Sequence, residues 1–232
     1  MRTILIPGDS MQLRRNVLAI ITLVFSSAAF GAASDDFNAL LEEEWEARLK
    51  NSPIFASSLG DRRYNRDWSD ISIGALKAYQ DQSREFLRRT YAIDKSALDT
   101  TDQLNFELFR RTLQNRVDSY QFNGHLVPFS HRGGVQNLEN NTNRLTFTTV
   151  QDYDDWLARM DKVDEYIDQA ITLAEAGRKQ GYMPPKVLME RIPVQIAAQL
   201  VEVVEESPFY TLFVLSLIHI SEPTRLESKS RM

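Results

Sequence analysis

The feature that most constrains this chain is the apolar periodicity of Thr149 to Gln199. Tyr153, Trp156, Leu157, Met160, Val163, Ile167, Ile171 and Ala174 recur at steps of three and four residues, which places them on one stripe of a helix. Thr148 or Thr149 suits the N-cap, and Asp152, Asp154 and Asp155 fall in the first turns, where the helix dipole favours acid. One long helix is expected, ending at Gly177, because the residue after a helix commonly takes the left-handed conformation that glycine tolerates. Pro184 and Pro185 suit the first turn of a further helix with the stripe Val187, Leu188, Ile192, Ile196 and Leu200. Pro193 lies inside that run, so the helix either kinks there or breaks and restarts.

The upstream chain repeats the helical pattern. Ser34 or Asp35 caps a helix with Phe37, Leu40, Leu41, Trp45 and Leu49 inward and Glu42, Glu43, Glu44 and Glu46 on the other faces. Pro53 ends it, Ile54 to Leu59 forms a short apolar turn stopped by Gly60, and the polar stretch to Asp70 is pinned by Tyr64 and Trp68. Ser72 opens a helix with Leu76, Tyr79, Phe86 and Leu87 inward, and Arg88 and Arg89 suit its C-terminal dipole. Thr100 or Thr101 opens another, with Leu104, Leu108, Leu113 and Val117 inward, Phe106 and Phe109 flanking, and Arg110, Arg111 and Arg116 as surface ion-pair partners. With no alternating strand pattern between them, the elements predict an all-α, irregular multi-helix bundle.

Asn123 to Thr148 is a long irregular segment holding His125 and His131. Six residues apart among glycine and proline, these histidines lack the helical spacing of a zinc site. No residue of the chain is therefore assigned a catalytic, cofactor-binding or metal-binding role.

The N-terminus has the anatomy of a secretory signal over residues 1–33. Arg14 and Arg15 precede the apolar run Val17 to Phe25, and small residues follow through Ala33. Cleavage is expected after Gly31 or Ala33. Met1 to Ser10 adds nothing to such a signal, which leaves Met11 as an alternative start. The expected destination is the periplasm or the exterior, with no membrane attachment after cleavage. The chain has no cysteine, so its fold relies on its core. Without the signal and the tail described below, 21 basic and 29 acidic side chains remain, a net charge of −8. That balance argues against nucleic acid as a partner, whose phosphates need a basic face.

Leu59-Gly-Asp-Arg-Arg-Tyr64, Asp70-Ile-Ser72, Tyr153-Asp-Asp-Trp-Leu-Ala-Arg159, Gly177 to Pro185 and Ser207-Pro-Phe-Tyr210 together resemble the bacterial domain of unknown function 885 family, in register from about Phe37 to Phe213. The resemblance implies an exported helical protein similar to zinc metallopeptidases, with zinc as cofactor and a peptide as substrate of the full-length member. It implies also that the metal-binding His-Glu-x-x-His helix lies well downstream. No such motif occurs here, and none of the family's ligands or its general-base glutamate maps onto a residue present. Residues 34–213 are thus expected to be the N-terminal helical part of a hydrolase, inactive alone. A non-catalytic periplasmic binding module is the alternative.

Beyond Phe213 the chain changes character. Leu215-Ser-Leu-Ile-His-Ile-Ser-Glu-Pro-Thr-Arg225 resembles the in-frame translation of a transposase adapter used in library preparation. Residues 214–232, with Val214 ambiguous, are expected to be an artefactual tail, so His219 is no ligand candidate.

Overall fold

The computed structural model describes residues 33–210 and 212–214; the expected signal peptide, apart from Ala33, and the adapter-like tail beyond Val214 lie outside the described residues. Among the described residues every regular element is helical, and one isolated bridge, Ser130 to Gly133, is the sole extended pairing. The all-α expectation therefore holds. In order the α-helices are α1 (33–51), α2 (Pro53–Ser58), α3 (Ile73–Thr90), α4 (Thr100–Ser119), α5 (Val150–Met160), α6 (Val163–Lys179), α7 (Lys186–Met189) and α8 (Ile192–Ala197), joined by loops and short 3-10 turns. None of these helices is long and apolar enough to cross a membrane. The described residues divide into two compact units, 33–45 with 82–117 and 46–81 with 118–214.

The first unit is built on an aromatic centre. Phe37 of α1 is fully buried and meets Phe106 and Phe109 of α4 edge-on, at ring-centroid distances of 5.6 and 6.2 Å. Phe86, Leu87, Leu98 and Leu113 complete this core. The buried face of α4 is Phe106, Phe109 and Leu113, whereas Leu104 and Leu108 are exposed. The inward stripe is thus rotated from the one expected, because the phenyl rings offer far more apolar area to bury than the leucines.

The acidic face of α1 also differs from expectation. Glu44 follows Phe37 and Leu40 at helical spacing, is 3% exposed, and accepts from Arg116 Nη1 at 2.8 Å. A carboxylate can occupy a core position when a guanidinium reaches it. Trp45 is partly exposed instead. Glu43 stays at the surface, where the paired Arg89 side chain holds its carboxyl below the ordinary glutamate range.

In the second unit α5 and α6 are separate helices, a correction to the single long helix expected. The cause is a side chain from outside them. The Arg159 carbonyl accepts Trp68 Nε1 at 2.8 Å and the Lys162 amide at 3.1 Å. It is thereby diverted from the regular helical ladder, and the backbone turns at Asp161 and Lys162. At Pro193 the chain breaks and restarts, with the proline in the first turn of α8.

Candidate functional site

The inward face of α5 is polar. Asp152, Asp155, Trp156 and Arg159 are buried, while Leu157, expected inward, is about half exposed. Arg159 is 1% exposed, and its Nη2 donates to Ser57 Oγ and to the Tyr64 carbonyl, both at 2.8 Å. Its guanidinium carbon lies 5.9 Å from the Trp68 ring and 6.0 Å from the Trp156 ring, and these two indoles meet edge-on at 6.1 Å. Burial pushes the Arg159 pKa down to about 10, against the opposing pull of Asp67 and Asp155. The group stays charged at neutral pH and fastens the 57–68 segment to α5.

Asp152 makes the second fastening. With Thr149 it forms a capping box at the start of α5, and its Oδ2 accepts from the amides of Thr148 (3.0 Å) and Thr149 (2.8 Å) and from the Thr149 hydroxyl (2.8 Å). Arg62 pairs with its other oxygen. Burial alone would raise the Asp152 pKa, but these donors and Arg62 outweigh it and hold the carboxyl below the ordinary aspartate value. Arg62 and Tyr64 belong to one of the quoted motifs and Arg159 to another, with Asp152 immediately before it. The two motifs therefore meet in space as parts of one structural clamp.

The open site is an apolar groove of about 240 Å³, between Leu126 to Phe129 on one side and Ile171, Ala174 and Arg178 of α6 on another, with Tyr182 to Pro184 and Met189 closing it. Gly177 sets its geometry. A Cβ there would stand 2.3 Å from the Leu126 carbonyl oxygen and 3.1 Å from that of Tyr182, so only glycine lets the backbones approach this closely. The helix does not stop at Gly177, as expected, but continues to Lys179; the left-handed residue is Gly181, at φ +81°. Sequence reasoning missed the groove because Leu126 to Phe129 lie in a segment with no helical or strand period.

The resemblance implies zinc, and the residues described do not fit it. His125 stacks on Tyr120 at 4.6 Å, and its pKa is lowered by burial. The backbone carbonyl of His131 accepts from Gln195. Among the described residues no three His, Cys, Asp or Glu side chains gather as a metal site would require.

No curated protein matches this chain. The family model described as "Bacterial protein of unknown function (DUF885)" matches residues 53–227. The matched span begins at Pro53 rather than near Phe37, and it runs past Phe213 through the stretch compared above with adapter DNA. It takes in every quoted motif, from Leu59-Gly-Asp-Arg-Arg-Tyr64 to Ser207-Pro-Phe-Tyr210, and covers roughly three quarters of the chain. The chain therefore belongs to the family described as "Bacterial protein of unknown function (DUF885)".

Proposed function

We propose that these helices are a non-catalytic part of a larger exported, peptidase-like hydrolase of the zinc-dependent kind, whose metal ligands lie outside the described residues. The observation that carries this reading is unspent apolar surface. Met183, Val187, Val194 and Leu200 are 60%, 60%, 72% and 77% exposed, and Met183 lines the apolar groove. Apolar area of this extent costs solubility unless something covers it, as the rest of a larger fold would. The reaction class is the one the sequence resemblance implies, that of the zinc metallopeptidases.

The test is the uninterrupted reading frame. DNA read through and past the codon of Phe213 is expected to encode His-Glu-x-x-His and a further metal-binding carboxylate or histidine. A complete frame without that motif rejects the zinc reading. In that case the groove favours the second reading, a periplasmic module that binds apolar peptide segments, and titration with such peptides would then decide it.

A further inference from the structure

We propose that Asn65, Trp156 and Arg159 form a binding site for a single water molecule within the second unit. The three residues line one cavity of about 20 Å³, together with Ser57, Asp152 and Phe147. A cavity of that size has room for about one water molecule or one small ion. Each of the three carries a buried polar atom without a protein partner: Asn65 Oδ1, Trp156 Nε1 and Arg159 Nε. Trp156 is 2% exposed and Arg159 1%, so bulk solvent does not serve them.

The chemistry of the three atoms matches water. An indole N–H and a guanidinium Nε–H only donate, and a carboxamide oxygen only accepts. Water accepts from the first two and donates to the third, reaching the roughly three hydrogen bonds usual for a buried water. A halide would take the two donors, but it would face the Asn65 oxygen and the Asp152 carboxylate that lines the same cavity. The Asp152 oxygens are already occupied by Thr148, Thr149 and Arg62. Water thus completes the clamp, joining Asn65 in the loop to Trp156 and Arg159 on α5.

The test is a crystal structure of the full chain from crystals soaked in bromide, with nuclear Overhauser measurements on the same protein in solution. The expected result is a compact density peak within about 3.2 Å of Trp156 Nε1 and Arg159 Nε, without bromine anomalous scattering. A cross-peak between the Trp156 indole proton and a long-lived water should accompany it. Bromine scattering at that point would make the site an anion site and overturn the proposal. A cavity without density, or an indole proton without the water cross-peak, would overturn it equally.

Discussion

Trp68 donates its indole N–H to the carbonyl of Arg159 at 2.8 Å, across ninety-one residues of sequence. The same arginine sends its guanidinium back to Ser57 and Tyr64, on the segment that carries Trp68. Each side therefore supplies a group that the other needs to satisfy, and the turn between α5 and α6 is the visible result.

Trp68→Phe keeps a ring against Trp156 and Tyr166 but removes the donor. Loss of one largely buried hydrogen bond is expected to lower unfolding free energy by about 1–3 kcal/mol. A shift of the urea midpoint with unchanged slope checks it. A midpoint equal to the parent's would show that the carbonyl is served equally well without Trp68.

Asp152 gives the fold an acid-sensitive component. Its folded-state pKa lies below the ordinary value of 3.8, so below neutrality the unfolded chain takes up its proton first. The stability it contributes is complete above the ordinary aspartate value and is lost as pH falls through the depressed one. Asp152→Asn is expected to cost about 1 kcal/mol at pH 7 through the weakened cap. The gap to the parent should narrow in melts taken below about pH 4.

Two acidic neighbours on α1 should behave differently. Glu44→Gln leaves Arg116 facing an uncharged amide in a buried position and is expected to cost about 1–3 kcal/mol. Glu43→Gln, at a surface pair, should produce no measurable change. Thermal melts of the two variants side by side give the comparison, and equal losses would contradict the burial of Glu44.

Glycine to alanine has opposite signs at two helical positions. Gly177→Ala drives a methyl into the Leu126 carbonyl and is expected to destabilise by about 1–3 kcal/mol, reversing the usual gain in helix propensity. Gly74→Ala, on α3 with nothing within 4 Å, should stabilise by about 0.5 kcal/mol. Chemical denaturation of both variants checks the pair.

These contrasts also mark where the sequence is legible. Spacing places α1, α3 and α4 because each has apolar residues at helical steps and a clear beginning or end. It misreads which face turns inward wherever polar groups compete. Glu44 and Arg159 look like surface residues until a partner from another segment satisfies them. The break after Met160 is invisible to any local rule, since its cause sits at Trp68. The groove was legible only as a family marker at Gly177 to Pro185, because its opposite wall, Leu126 to Phe129, has no period to read. Gly177 itself suggested a stop signal, when its use is to admit another backbone.

That last contact has a consequence for how the groove can change. Its gauge is set at one point by main chain resting on main chain, at Gly177 and Leu126. The lining side chains of Ile171, Ala174, Met183 and Met189 take no part in that contact, so exchanging them leaves it in place. An engineer who keeps this one glycine can retune the chemistry of the lining one residue at a time.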